Sequence, residues 1–118
     1  MSVSFKDSTG RVWHPVVTTR TICAVERETG VGLGEIGNAL IHKQSIVVGM
    51  SLAWNACATE VKEHRISADD FADAFTNIDD LAEMLKVLAE ALMLFTQSRA
   101  KPSTPASAAA GPGQTSTN

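Results

Sequence analysis

The chain has 118 residues, of which 44% are hydrophobic, and a formal net charge of −3. This length accommodates a single domain, and the acidic balance argues against a protein that binds nucleic acid through a broadly basic surface. The charge is uneven, because six acidic residues and no basic residue lie between Ile66 and Leu85. We interpret this run as a solvated helix face, with a docking surface for a basic partner segment as the alternative.

Composition also separates a folding part from a tail. The last 18 residues, KPSTPASAAAGPGQTSTN, contain no side chain of core size, and such segments cannot bury enough apolar surface to offset the entropy of ordering. We therefore predict one helical domain over 1–99 and a disordered tail over 100–118. No signal-peptide core is visible, and the most apolar stretch, 45–58, is too short to span a bilayer. These features predict a soluble intracellular protein without a membrane partner.

The first predicted element is a β-hairpin. Val3 and Phe5 alternate with polar residues, and the DSTG that follows has turn chemistry, because Asp bonds its own backbone and Gly accepts a positive φ. The return strand includes Trp13, and Pro15, which has no N–H to donate, marks its end or an edge. Since a two-stranded hairpin is marginal alone, we expect it to pack on the helices or to pair with another chain.

Three helices are predicted next. The first starts at an N-cap, Thr18 or Thr19, and ends at Gly30, which suits the left-handed residue that follows a helix. The second starts near Leu33 and is weakened by its glycines. The third, SIVVGMSLAWNACATEVKEHR over 45–65, is apolar nearly all round in its first half. That pattern is typical of a helix at the centre of a bundle.

Trp54 in the third helix is expected to contribute the largest single burial. A short fourth helix follows, with Ser67 as its N-cap and Asp70 at the third position, where the helix dipole favours a carboxylate. The last helix begins after Thr76 or Asn77, and its apolar residues recur at spacings of 3 and 4, which places them on one stripe. The members of this stripe are Ile78, Leu81, Leu85, Leu88, Leu92 and Phe95.

Further apolar residues widen the stripe beyond what one neighbouring element needs. They are Met84, Val87, Ala91 and Leu94. The wide stripe indicates deep burial in the domain, or else a surface kept for a partner or for self-association. Together the elements predict a mainly α fold, a small helical bundle of four to five helices with an N-terminal β-hairpin and a disordered C-terminal tail.

The glycines Gly32, Gly34 and Gly37 have the spacing G-x-G-x-x-G of dinucleotide-binding loops. Such a loop requires a buried strand that runs into the first glycine. Here the charged stretch ERET, in a predicted helix, precedes it. We therefore interpret this stretch as a helix stop at Gly30 and a flexible turn between helices.

Other candidate sites are equally weak. Asp69, Asp70 and Asp73 have the D-D-x-x-D spacing that holds magnesium in isoprenoid synthases, but the chain has no room for the large helical cavity and second metal motif of those enzymes. The histidines and the two cysteines show no metal-ligand spacing, and we expect Cys23 and Cys57 to be buried, reduced thiols. The sequence thus predicts a protein that is not an enzyme, with no catalytic residue, metal or cofactor.

The order of the elements is more specific than any one of them. A hairpin F-x-D-x-x-G-R-x-W leads to a helix ending in E-T-G-V-x-L, then an apolar helix with a Trp, the segment I-S-A-D-D-F and a long amphipathic helix ending in Phe. Over residues 3–96 this order resembles the tail assembly chaperones of long-tailed bacteriophages and related prophage-like elements. The matching residues are Phe5, Asp7, Gly10, Arg11, Trp13, Glu28, Thr29, Gly30, Val31, Leu33, Trp54, Ile66, Ser67, Asp70 and Phe71.

The resemblance implies a non-enzymatic protein in the cytoplasm of a bacterial host cell. Its partners would be the tape-measure protein, which such chaperones cover before the tail tube polymerises, and the tail-tube subunits. Self-association is a further interaction that we consider. In many of these phages a translational frameshift makes a longer form, and the tail after Arg99 lies where that C-terminal extension would be attached.

A groove between helices would suit such a client. A tape-measure protein is long and largely helical, so a groove can hold its apolar stripe while charges at the rim fix the register. The apolar candidates for the groove are Leu81, Met84, Leu85, Leu88, Leu92 and Phe95, all of which are also candidates for the core. The acidic candidates for its rim are Asp69, Asp73, Asp79, Asp80 and Glu83.

Two other functions are open at this point. A structural virion protein, such as a head–tail connector or tail completion protein, usually forms rings, and the hairpin edge near Pro15 offers a strand for pairing between subunits. A helix-turn-helix regulator would need a recognition helix rich in Arg, Lys, Asn or Gln, and the predicted helices carry no such cluster. We therefore expect no nucleic-acid partner.

Overall fold

The computed structural model describes residues 3–99, which form two short strands and six helices. In chain order these are β1 (Phe5–Lys6), β2 (Val12–Trp13), α1 (Thr19–Thr29), α2 (Leu33–Ile41), α3 (Ile46–Ala56), α4 (Ala58–His64), α5 (Ala68–Asp73) and α6 (Ile78–Arg99). The prediction of a mainly α fold with an N-terminal β-hairpin is confirmed. The tail predicted to be disordered, 100–118, lies outside the described residues.

The hairpin carries two aromatic side chains into the core. Phe5 pairs with Trp13 in antiparallel register, and both side chains are buried. Gly10 turns the chain at a φ of 92°, a conformation that favours glycine. The hydroxyl of Ser8 donates a hydrogen bond to the carboxylate of Asp80 at 2.8 Å. The hairpin is therefore joined to α6 as well as packed on the core.

Asp7 is the polar centre of the hairpin. Its carboxylate accepts hydrogen bonds from the backbone N–H groups of Thr9 and Arg11, at 2.9 and 3.1 Å, and from the indole N–H of Trp13 at 3.0 Å. Burial alone would raise the pKa of Asp7, but these bonds and one from the Thr9 hydroxyl outweigh it and hold the pKa below its usual value. Asp7 therefore stabilises the turn in its ionised form.

We expect Asp7→Asn to lower the free energy of unfolding by about 1–2 kcal/mol near neutral pH, because the amide N–H₂ faces donors that need an acceptor. The folded pKa lies below the unfolded value of about 3.9, so the stabilisation by Asp7 is present above that value and is lost as pH falls through the folded pKa. Urea unfolding at about pH 7 and about pH 2 would measure a deficit that shrinks at the lower pH. Asp73→Asn, at an exposed carboxylate, is the control, and an equal deficit at both pH values would contradict the assignment.

Local signals position α1 and α2. Thr18 caps α1 through a capping box, and Gly30 ends the helix at a φ of 78°. Gly32 is the N-cap of α2, and Gly34 and Gly37 lie inside that helix. The G-x-G-x-x-G spacing therefore begins at the N-cap of α2, and Gly34 and Gly37 belong to the predicted second helix, which starts at Leu33 as expected.

The predicted third helix is divided in two. α3 ends at Ala56 and α4 begins after Cys57, whose φ and ψ of −103° and 21° leave the helical region. The carbonyl of Ala56 accepts from the N–H of Val16 at 3.0 Å. In a continuous helix it would accept from the N–H of Glu60 instead. The segment that follows the hairpin thus interrupts the helix. Because of this division, the described residues contain six helices, where four to five were predicted.

Aromatic rings from the hairpin, α3, α5 and the segment that follows α5 meet at one end of the core. Trp13 and Phe71 pack edge to face with their centroids 5.0 Å apart, and Phe75 lies 5.8 Å from Phe71 and 5.9 Å from Phe5. Trp54 reaches Phe71 at 5.7 Å but is only partly buried, whereas Trp13 is 1% exposed. The prediction that Trp54 makes the largest burial is therefore wrong. The hairpin places Trp13 inside the aromatic cluster, whereas Trp54 lies at the edge of that cluster.

The two cysteines have different environments. Both are free thiols, and Cys57 is buried. Burial, helped by the negative charge of Glu60, raises the pKa of Cys57 to about 12. Cys23 is exposed, contrary to the prediction, because α1 turns its neighbours Ile22 and Val25 towards the core.

Candidate partner-binding groove

Most apolar residues predicted for a client groove lie in the core. Leu81 is partly buried, and the other five predicted residues are buried. These are Met84, Leu85, Leu88, Leu92 and Phe95. Helix α6 is covered on its inner side by α2, α3 and β1. Met84, Leu88, Leu92 and Phe95 therefore belong to the core rather than to an exposed groove, whereas Leu81 and Leu85 line a depression at one side of α6.

The acidic residues predicted for the rim are spread over two helices. Asp69 and Asp73 lie on α5, whereas Asp79, Asp80 and Glu83 lie at the start of α6. Asp80 is partly buried because it accepts the hydrogen bond from the hairpin. Asp79 and Glu83 are exposed on α6, so they are the two that remain as candidates for a rim along this helix.

An apolar groove runs along a different side of α6. Its α6 wall is formed by Ile78, Leu81, Ala82, Leu85, Ala89 and Met93. Its opposite wall is formed by the end of α2, the turn that follows and the start of α3, through Leu40, Ile41, Gln44 and Ile46. Two depressions of about 380 and 240 Å³ share Leu85 and Gln44 and thus form one continuous surface. We refer to it as the apolar groove.

Large apolar side chains are exposed along this groove. Ile78 is 80% exposed at one end, and Met93 is 55% exposed at the other. Ile41 and Ile46 on the opposite wall are 55% and 43% exposed, and the adjacent Val47 is 70% exposed. Single exposed apolar residues are ordinary in folded proteins, whereas a contiguous patch marks an interaction surface.

Two backbone features give the groove its shape. The α2–α3 turn contains Gln44 at a φ of 49°, and this turn presents Ile41 and Ile46 towards α6. On the other side, Gly49 lets α3 approach α6 closely, because a Cβ atom at this position would overlap with the Cδ2 atom of Leu85. The side chain of Leu85 therefore packs against Gly49 of α3 on one side and forms the floor of the groove on the other.

Charged residues follow one edge of the groove on α6. Lys86 and Glu90 line it, and Asp79 and Glu83 precede them at spacings of 4, 3 and 4, which place all four along the same flank of a helix. All four are exposed, and none forms an ion pair with another residue of the described chain. We refer to Asp79, Glu83 and Glu90 as the acidic flank.

Other polar groups of the described chain are not grouped into a comparable site. The Nδ1 atom of His14 lies 2.8 Å from one carboxylate oxygen of Glu60, whose other oxygen accepts the His14 N–H at 2.7 Å, and this pair joins the hairpin exit to α4. A polar depression beside α1 is lined by Arg20, Arg27 and Asn55 among others. Within the described residues, no three His, Cys, Asp or Glu side chains are arranged to hold a metal ion.

In the part of the chain that the structure describes, no helix combines the length and the apolar character that crossing a bilayer requires.

Sequence reasoning missed half of the apolar groove. Ile41 and Ile46 flank the polar turn HKQS, but apolar residues beside a turn do not by themselves indicate exposure, so the sequence carried no signal for this wall. On α6, residues 78, 82, 85, 89 and 93 form a second stripe beside the inward one. The prediction combined parts of both stripes, because helical spacing alone does not say which of two adjacent stripes faces the core.

Comparison with known proteins adds no relative. No protein-family model, no curated protein and no solved structure matches this chain.

Proposed function

We propose that this chain is a non-enzymatic binding protein that holds an amphipathic helix of a client in the apolar groove. More specifically, we propose a tail assembly chaperone of the long-tailed phage type, with the tape-measure protein as its client, acting in the cytoplasm of the bacterial host. The observation that supports a binding role is the run of exposed apolar side chains from Ile78 to Met93 beside those of Ile41 and Ile46.

The dimensions of the groove suit one helix. At a rise of 1.5 Å per residue, the distance along α6 from Ile78 to Met93 is about 22 Å. A client helix of about four turns covers that length. Amphipathic helices bind in such grooves through apolar residues at i, i+3, i+4 and i+7, which is the pattern expected of a tape-measure protein.

The energy available from the groove favours a transient complex. Burial of an exposed Ile or Met side chain contributes about 1.5–3 kcal/mol, and Ile41, Ile78 and Met93 are the main contributors. Much of this gain is offset by the loss of translational and rotational freedom and by the ordering of side chains. Reversible binding is what a chaperone needs, since its client must be released into the growing tail.

Two further partners rest on the resemblance alone. We propose tail-tube subunits as a second partner, bound while the tape-measure protein is still held. We also propose self-association on the same basis.

Replacement of the apolar side chains at the two ends of the groove should weaken client binding. We expect the double variant Ile78→Asp/Met93→Asp to co-purify with the client at least about tenfold less than the wild type, because each Asp would have to be desolvated at the interface. The client is the product of a neighbouring gene for a very long, apolar-striped helical protein, co-expressed with the chain. The wild type should also raise the client's soluble fraction.

The matched control replaces two exposed valines outside the groove, Val12→Asp/Val16→Asp, and should bind as the wild type does. Equal co-purification of both double variants, or no gain in client solubility with the wild type, would count against the proposal. Mass spectrometry of mature particles separates the main alternative, because a structural virion protein remains in the particle and a chaperone is absent from it.

A further inference from the structure

We infer that the apolar groove selects a client helix whose apolar stripe is bordered by basic residues on the side that faces the acidic flank. This inference rests on the proposed helix-holding function and adds to it a rule of charge recognition. Within that function, the acidic flank decides which of many amphipathic helices are bound.

The position of the acidic flank carries the inference. Glu90 belongs to the lining of the groove, and Asp79 and Glu83 lie on the same flank of α6 towards its start, where Glu83 also lines a depression beside Lys6 of the hairpin. Residues that border an apolar seam between two helices face the bordering residues of the partner, as in coiled coils, where such charges set partner choice and orientation. A helix bound in the groove therefore places side chains along the flank of α6 that carries these carboxylates.

The carboxylates are available for such pairing. They are exposed, and among residues 3–98 they have no cationic partner within ion-pair distance. Lys86 is the one basic residue on this flank of α6, where it lies between Glu83 and Glu90, and Lys6 of the hairpin lines the depression next to Glu83. Three acidic positions and one basic position favour a client flank that is mainly basic.

The opposite wall does not repeat this pattern. Between Ile41 and Ile46 it presents the turn that contains His42, Lys43 and Gln44, with no carboxylate. The two edges of the groove thus differ in charge, so the rotation of a bound helix about its own axis is specified. Basic residues placed on the wrong side of the client stripe would face Lys43 instead of the carboxylates.

The test uses three designed peptides, each about four turns long and blocked at both ends to remove terminal charges. They share one leucine stripe and differ only in the residues on one side of it, which are Lys, Gln or Glu. Affinities for the full chain are measured by fluorescence anisotropy at low and at physiological ionic strength. We expect the Lys peptide to bind at least about tenfold tighter than the Glu peptide at low salt, with the difference reduced as salt screens the pairs.

Two charge-reversal variants of the chain complete the design. Asp79→Lys/Glu83→Lys/Glu90→Lys should invert the order of the Lys and Glu peptides. The matched control, Asp69→Lys/Asp70→Lys/Asp73→Lys, changes the net charge equally on α5 and should keep the wild-type order. Circular dichroism verifies that each variant is folded, and the salt dependence of the wild type tests the inference without any variant.

The outcomes separate the inference from the function on which it rests. Inversion by the α6 variant and not by the α5 variant supports charge recognition by the acidic flank. Equal binding of all three peptides, or inversion by both variants, overturns it and leaves helix holding intact. Failure of all three peptides to bind overturns both the inference and the role of the groove in holding a helix.

Discussion

Replacement of Trp13 by alanine is expected to lower the free energy of unfolding by about 3–5 kcal/mol, the largest effect of any single substitution considered for this chain. Trp13 is 1% exposed and packs edge to face on Phe71. Its removal leaves a cavity that the short strands β1 and β2 are too small to close. It also removes the indole N–H that donates a hydrogen bond to Asp7, so this buried carboxylate loses one of its partners.

Chemical denaturation followed by circular dichroism measures this effect. Trp54→Ala is the matched control, because it removes the same side chain from a partly buried position that contacts the same ring. We expect Trp54→Ala to lower the free energy of unfolding by clearly less than Trp13→Ala. Equal losses for the two variants, or a loss below about 1 kcal/mol for Trp13→Ala, would mean that the hairpin is peripheral rather than part of the core.

Features that depend on near neighbours in the chain were predictable from the sequence. The cap at Thr18 and the stop at Gly30 lie where expected, because each is made by groups within a few residues of the helix end. Ser67 likewise caps α5 by accepting from the N–H of Asp70. The hairpin was predictable for the same reason, since its turn chemistry lies within the segment that it turns.

Features that depend on distant partners were not predictable. The division at Cys57 is associated with a bond between Val16 and Ala56, which are far apart in the sequence. The relative burial of Trp13 and Trp54 depends on where the hairpin lies over the bundle. No local signal in either segment carries that information, so sequence patterns gave a continuous helix and the wrong tryptophan.

The apolar groove could likewise be predicted only in part, because its two walls come from different helices. The apolar surface of α6 is wide enough for a core face and for a second stripe, and its periodicity left burial and an exposed surface as alternatives. Of the residues that widen the predicted stripe, Met84, Val87 and Ala91 are buried. In the structure, the Leu88 side chain is buried in the core and the Ile78 side chain is exposed to solvent. The second wall of the groove comes from α2 and α3, and periodicity within α6 contains no information about which helices stand beside it.

The second large effect concerns Gly49, where α3 and α6 are in closest approach. A Cβ atom at Gly49 would overlap with Cδ2 of Leu85 and would lie 3.4 Å from Cε of Met84. Both of those side chains are buried, so neither can move away without disturbing its own packing. We expect Gly49→Ala to lower the free energy of unfolding by about 2–3 kcal/mol, a loss from overpacking that exceeds the gain in helix propensity of up to about 1 kcal/mol.

The matched control is the same substitution at a helical glycine with open space around it. Nothing lies within 4 Å of a Cβ atom at Gly34 in α2, so Gly34→Ala should raise the free energy of unfolding by up to about 1 kcal/mol. The two variants are therefore predicted to differ in sign, which removes any general effect of a Gly to Ala change. Thermal or urea unfolding of both variants provides the comparison, and stabilisation by both would show that α3 and α6 are not closely packed at Gly49.

A double-mutant cycle assigns the effect to Leu85. If the loss in Gly49→Ala arises from the overlap with the Leu85 side chain, Leu85→Ala removes the cause, and the double variant should be more stable than the sum of the two single losses predicts, by about 1–2 kcal/mol. Additive losses would mean that the strain lies elsewhere, for example at Met84. Because Leu85 also forms the floor of the apolar groove, Gly49→Ala is further expected to push this side chain towards the groove and weaken peptide binding. A close contact between two core helices would then control the depth of the surface that we propose holds the client.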